Sequence, residues 1–180
     1  MEDAILHRLI AGSLKQKRKH CKMLYQTFYG FAMGICVRYA DTCHEPAEIM
    51  NHGFFRIFES LRQYDSKEPF KEWFRKSFIN GLVDHYSLNY QLVHADSLDG
   101  SGDNLPEILA DTGFKPGHLL RMIRGLPHAI RISYNLYAID GYTFEEMAVL
   151  LKINTRTVQL NLTSARYKLT QMILVHQQLL

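Results

Sequence analysis

Residues 143–169 read TFEEMAVLLKINTRTVQLNLTSARYKL, and this stretch sets the reading of the whole chain. Thr143 and Glu146 stand at capping-box spacing. The threonine hydroxyl accepts from the backbone N–H three residues on, and the glutamate reaches back. Met147, Ala148, Leu150 and Leu151 supply the apolar side of a short helix. Lys152-Ile153 makes a tight turn, and Asn154 is a natural N-cap for a second helix. There Val158, Leu162, Ala165 and Leu169 recur at steps of four, three and four residues, which makes one buried stripe. A short helix, a tight turn and a second helix with a single stripe match a helix-turn-helix. Ala148 is small where the two helices cross. Opposite the stripe lie Arg156, Leu160, Thr163 and Tyr167, flanked by Gln159, Ser164, Arg166 and Lys168. Arg and Gln can read base edges, while Thr, Ser and Lys can hold phosphates. An ordinary helical hairpin presents the same pattern, because solvated helix faces also carry Arg, Gln and Lys. Pattern alone leaves both readings open.

The same periodicity extends in both directions. Residues 117–125 and 127–139 form two helices separated by Leu126-Pro127, with Gly141 closing the second. Near the N-terminus, residues 4–14 form a short helix and residues 16–40 a long one. A turn follows around Asp41–Pro46, and Pro46 suits the first turn of a helix, where its missing N–H is dispensable. That helix carries Met50, Phe54, Ile57, Phe58 and Leu61 on one face, with Glu48, Asn51, His52 and Glu59 beside them. Tyr64 to Pro69 is polar and turn-like. Phe70, Trp73, Phe74, Phe78, Leu82 and Val83 mark another amphipathic helix ending near Tyr86. No alternating pattern of strand length and no internal repeat is visible. The expected class is all-α.

At 180 residues, 47% hydrophobic and 22% charged, the chain has the composition of a globular protein. No uncharged apolar run reaches the ~18–20 residues of a membrane span. Met1-Glu2-Asp3 is not the start of a basic-then-apolar leader, so no secretory signal is expected. Cys21, Cys36 and Cys43 form an odd, sparse set that fits a reducing compartment, hence the cytoplasm. The net charge of +3 conceals a pattern. Residues 1–86 carry 13 Lys/Arg against 10 Asp/Glu, residues 87–116 carry one against five, and residues 117–180 carry seven against three. The acidic middle also holds Asp99-Gly-Ser-Gly-Asp103, Pro106, Gly113 and Pro116, a composition that resists regular structure. The expected organisation is a domain over 1–86, an acidic linker over 87–116 and a second domain over 117–180.

Other features divide between two readings. The run Lys15-Gln-Lys-Arg-Lys-His20 is either a solvated helix start or a polyanion contact. Trp73 beside Arg75 and Lys76 is either core or a stacking-plus-charge platform for single-stranded nucleic acid. His20-Cys21, Cys36 and Cys43-His44 match no compact zinc spacing, and free thiols account for them, so no metal is expected. There is no G-x-S-x-G, Walker loop, H-E-x-x-H or G-x-G-x-x-G, and the nine histidines are scattered. The chain is therefore expected to have no catalytic residues and no cofactor.

Several stretches jointly resemble extracytoplasmic-function (ECF) sigma factors of the sigma-70 superfamily, in the style found in Bacteroidetes-type bacteria. In the first block they are Leu24-Tyr25 to Arg38-Tyr39-Ala40, the helix Pro46 to Glu59, Phe70-Lys-Glu-Trp-Phe-Arg-Lys76, and Asn80-Gly-Leu-Val-Asp-His-Tyr86. In the second they are Leu126-Pro127, Asn135-Leu136-Tyr137, Asp140-Gly141-Tyr142-Thr143, and the helix-turn-helix through Leu169. The resemblance covers nearly all of residues 4–172, in family order. It implies a transcription initiation factor that docks on core RNA polymerase and directs it to promoters. Glu48, Asn51, His52, Phe55, Arg56 and Glu59 would meet the clamp helices of the polymerase's largest subunit. Gln63, Tyr64, Asp65, Ser66 and Trp73 would hold melted single strand at the minus-ten box. Arg75, Lys76, Asn80 and Tyr86 would touch the duplex just upstream. Arg156, Thr157, Gln159, Leu160, Thr163, Ser164, Arg166 and Lys168 would read the minus-thirty-five box, and the acidic linker would thread the polymerase interior. An anti-sigma factor at the membrane is a further implied partner, with no insertion of this chain into the bilayer.

Physical chemistry is consistent with that division. Melted bases need aromatic faces, duplex needs a helix with short polar reach, and a linker of net −4 repels DNA. The sequence departs from the family at Asn51-His52, where Gln-Glu is usual, and at Lys152, which stands at the turn glycine. Two rivals differ in class: a helix-turn-helix regulator that works without polymerase, and a sigma-like decoy that binds an anti-sigma factor without directing initiation.

Overall fold

A computed structural model describes residues 3–40, 46–89 and 116–177. Among these residues the chain is all-α, with no strand. In order come α1 (Asp3–Leu14), α2 (Arg18–Tyr39), α3 (Pro46–Ser60), a 3-10 turn (Leu61–Gln63), α4 (Phe70–Asn89), α5 (Pro116–Arg124), α6 (His128–Tyr134), α7 (Phe144–Leu151) and α8 (Thr155–Gln177). The expected turn at 41–45 and nearly all of the expected acidic linker, 90–115, lie outside the described residues. The helices fall into two compact units, α1 to α4 and α5 to α8.

In the first unit, α2 begins at Arg18 and not at residue 16, because Gln16 adopts the left-handed conformation, φ 54°. Its N–H bonds the Ser13 carbonyl at 2.8 Å, and the Lys17 N–H bonds the Gly12 carbonyl at 3.0 Å. This pair of bonds is a Schellman closure of α1, which satisfies carbonyls that a helix end leaves orphaned. The interior is aromatic. Phe28 stacks on Phe74 at 4.7 Å and meets Phe70 edge-on at 5.2 Å, and Phe54 lies edge-on to Phe74 and Phe78 at 5.6 and 5.5 Å. Such pairs add about 0.5–1.5 kcal/mol beyond their area burial. Met50, Phe54, Ile57 and Leu61 are buried as their spacing demands, while Phe58 is only half-buried. Cys36 sits deep in α2, and loss of hydration there pushes its thiol up to about 12. It therefore stays protonated and unreactive.

Two glycines make the close fit of α3 on α4. A Cβ at Gly53 would stand 2.4 Å from the Phe78 ring, and one at Gly81 would stand 2.6 Å from the Arg56 Cβ and 3.0 Å from the His52 carbonyl oxygen. Only hydrogen fits between the helices there.

In the second unit, Ile123, Leu126, Ile130, Tyr134, Ala165 and Leu169 form one core cluster, with Leu119, Met122 and Met172 packed on it. The sixth helix is shorter than the expected 127–139. It is α-helical only to Tyr134 and closes through a π turn over Asn135–Ile139. Gly141 follows with φ 75°, a conformation open to glycine at no steric cost. Below this turn a polar network is sealed in. Arg131 is 1% exposed, and its guanidinium donates to the Leu126 carbonyl at 2.8 Å and the Arg124 carbonyl at 3.3 Å, with His128 Nδ1 3.0 Å away. It thus supplies donors to carbonyls at the end of α5 and just beyond. Asn161 Nδ2 donates to Ser133 Oγ at 3.1 Å, which ties α8 to α6.

Candidate nucleic-acid interface

The helix-turn-helix expectation reduces to how α7 ends and α8 begins. Thr143 accepts from the Glu146 N–H at 3.2 Å, and Glu146 Oε2 accepts from the Thr143 N–H at 2.8 Å, so the capping box is complete. At the far end Lys152 is left-handed, φ 56°. The Lys152 N–H bonds the Val149 carbonyl at 3.3 Å and the Ile153 N–H bonds that of Ala148 at 3.1 Å. This is the same closure as at Gln16, again without glycine. Two residues on, Asn154 Oδ1 accepts from the Thr157 N–H at 2.7 Å and the Thr157 hydroxyl at 3.0 Å. Local hydrogen bonds therefore define both sides of a three-residue turn, Lys152 to Asn154.

On α8 the stripe Val158, Leu162, Ala165 and Leu169 is buried, and Ile173 extends it by one turn. Arg156, Gln159, Leu160, Thr163, Arg166 and Tyr167 are exposed, and Thr157 and Lys168 are half-buried. Arg156, Gln159, Leu160 and Thr163 thus form one open row at the start of the helix, beside its N–H groups. Arg156 and Gln159 carry the donors that fork onto guanine and adenine, and Leu160 can meet only a methyl group. Ser164 is a correction. It is 6% exposed and faces inward, so it has no edge to offer a groove. Arg166 lies near Tyr134, whose hydroxyl burial pushes up and the guanidinium partly lowers.

In the first unit, α3 brings Asn51, His52, Phe55, Arg56 and Glu59 together on its open face. The side chain of Glu48 lies outside the described residues. Phe55 is 63% exposed, an aromatic ring in water on an otherwise polar face. His52 stacks on His85 of α4 at 3.7 Å, a contact that no spacing within either helix announces.

The expected minus-ten set divides. Gln63, Asp65 and Ser66 are exposed. Asp65 Oδ1 accepts from the Lys67 N–H at 3.0 Å, and the Tyr64 hydroxyl donates to the Glu68 carbonyl at 2.9 Å, so this turn is internally bonded. Trp73 belongs to the core, the first of its two readings. It is 9% exposed, with Tyr64 and Phe70 at 5.3 and 5.4 Å, and presents no free face for a base. Tyr86 is a further correction. It is fully buried, and its hydroxyl donates to the Tyr39 carbonyl at 3.2 Å. Arg75 pairs with Glu72 at 3.2 Å, Lys76 pairs with Glu68 at 2.9 Å, and Asn80 is half-buried.

No group of three or more metal-capable side chains gathers among the described residues, and no helix among them is long and apolar enough to cross a membrane. No family model matches the sequence, and no curated protein matches it. Among solved structures the chain is similar to CnrH in complex with the cytosolic domain of CnrY, at 18% identity over 92% of this chain and 94% of that one, with a TM-score of 0.46.

Proposed function

We propose that this chain is a non-catalytic transcription initiation factor of the ECF sigma type, whose helix-turn-helix reads promoter DNA and whose α3 face docks on core RNA polymerase. The observation that carries this reading is α8. One side is wholly committed to the core, and the opposite side opens Arg156, Gln159, Leu160 and Thr163 beside an Asn154-capped N-terminus. A solvated hairpin needs no such alignment of base-reading donors at the helix start. The resemblance of the first block to the polymerase-binding domain, with Phe55 exposed on the docking face, supports the second half. The cytoplasm is its place of action, and an anti-sigma factor is an admissible regulator.

Co-purification with core polymerase, followed by transcription from the chain's own promoter, tests the reading. Capture together with promoter-specific initiation supports it. Specific promoter binding without polymerase capture favours the simple regulator, and capture of an anti-sigma factor without initiation favours the decoy. Within the assay, Arg156→Ala is expected to cost about 1–3 kcal/mol and relax preference at one base pair of the upstream box. Lys168→Ala is expected to weaken all promoters about equally, as loss of a phosphate contact does. Selection from a randomised upstream box reads both, and an unchanged selected sequence with Arg156→Ala removes α8 as the reading helix.

A further inference from the structure

The cations of the first unit fall into two groups with opposite surroundings. Between Ala4 and Ala40 there is no Asp or Glu at all, against seven Lys/Arg. Five of the seven, Lys15, Lys17, Arg18, Lys19 and Lys22, crowd the corner where α1 turns into α2, and all five are exposed. Among the described residues none of the five makes an ion pair. Along α4 and the turn before it the reverse holds. Lys67 lies 3.9 Å from Asp65, Arg75 3.2 Å from Glu72 and Lys76 2.9 Å from Glu68, while Lys71 covers the Phe31 ring at 4.9 Å. Residues 41–86 carry six Lys/Arg against eight Asp/Glu, so the low net charge of the block is a sum of unlike parts.

The corner is also shaped. The Schellman bonds at Gln16 and Lys17 fix the chain direction, and the His20 ring occupies the room left by Gly12, where a Cβ would stand 2.2 Å from it. Arg18 and Lys22 are one helical turn apart, and so are Lys19 and Lys22, which places their charges side by side. No side chain caps α2, and no carboxylate sits in its first turn, so its orphan N–H groups add to the same positive field.

We infer that the α1–α2 corner is a phosphate-binding surface that takes the backbone of duplex DNA. It is separate from α8 and from the α4 face to which the resemblance assigns duplex contact. The logic is charge complementarity. A phosphodiester backbone asks for several unpaired cations in a row and for no particular base edge. The corner offers these, whereas the α4 cations are already neutralised or stacked. The inference goes beyond the proposed function and holds whether or not the chain captures polymerase.

The test uses the full chain and a short labelled duplex of arbitrary sequence, with anisotropy titrations over a salt series. Each phosphate neutralised contributes about 0.9 to the slope of log affinity against log salt. Replacing Lys15, Lys17, Arg18, Lys19 and Lys22 together by Gln is expected to lower that slope by about 3 or more, with circular dichroism unchanged. The control Lys71→Gln/Arg75→Gln/Lys76→Gln is expected to lower it by less than about 1. The milder pair Lys15→Gln/Lys19→Gln, which tests the site even if the fivefold variant folds poorly, is expected to give a drop of about 1–2. An unchanged slope in the corner variants, or a larger loss in the α4 control, overturns the assignment. So does a corner variant that binds DNA normally but loses capture by core polymerase, since the surface would then serve an acidic protein.

Discussion

The first unit fills its interior with Phe28, Phe54, Phe70, Phe74 and Phe78, whereas the second seals Arg131, Ser133, Asn135 and Asn161 inside. The aromatic interior gains from burial in any direction and is limited by space, so its sensitive points are where backbones nearly touch, at Gly53 and Gly81. The polar interior is limited by hydrogen bonding, because each group taken from water must find a partner. Its sensitive points are the donors. Under the proposed function the contrast matters, since the second unit would have to hold α8 in one orientation for its outer row to read a fixed sequence. The Asn161–Ser133 hydrogen bond between α8 and α6 specifies orientation more sharply than apolar contact alone does.

Five substitutions probe the contrast. Trp73, the only tryptophan, lies in the first unit, so its fluorescence reports that unit while far-ultraviolet circular dichroism reports both. The largest effect is expected from Arg131→Met, which keeps the stem but removes the donors to the carbonyls of Arg124 and Leu126. The loss is about 3 kcal/mol. It should appear in the dichroism melt and leave the Trp73 transition in place. A shift of both would show that the two interiors do not respond separately.

Next is Gly53→Ala, which drives a Cβ into the Phe78 ring and is expected to cost about 2 kcal/mol, visible in Trp73 fluorescence. Its counterpart is Gly30→Ala on α2, where a Cβ meets nothing within 4 Å. That change is expected to stabilise by about 0.5–1 kcal/mol, since alanine is the better helix former. If both substitutions shift stability alike, space is not what limits the aromatic interior.

The smallest effect is expected at the two left-handed helix ends. Lys152→Gly and Gln16→Gly each relieve a Cβ clash and are expected to gain about 0.5 kcal/mol, partly offset by the looser unfolded chain. Equal gains in the two units, measured by chemical denaturation, would show that these closures are local devices, indifferent to the interior beneath them. Under the proposed function, the gain at Lys152 is expected to leave promoter selection unchanged, because Lys152 lies in the turn, outside the row on α8.

What the sequence determined by itself was whatever depends on neighbours along the chain. The all-helical class, the Thr143–Glu146 capping box, the Asn154 cap and the stripe from Val158 to Leu169 rest on spacings of three or four residues, and Pro46 at the start of α3 rests on its missing N–H; the structure carries each of them. Which residues flank a buried stripe was left to the tertiary structure. Ser164 and Asn161 stand at the edge of their helical face, and whether an edge position meets water or protein depends on how wide a surface the neighbouring helix covers. Ser164 turned inward for that reason, and so did Asn161, whose amide meets Ser133 across 28 residues of chain, whereas Tyr86 simply continues the buried i+4 row of Phe78 and Leu82. Arg131 is the plainest case. Within its own helix it is a cation among apolar residues, and the carbonyls of Arg124 and Leu126, brought over it by the turn at Pro127, with His128 Nδ1 beside them, make its burial tolerable. Gly53 was likewise an unremarked glycine until Phe78 came down on it. Hydrogen-bond geometry over one helical turn is encoded locally, but burial is a relation between elements, and so it was decided only when the helices packed.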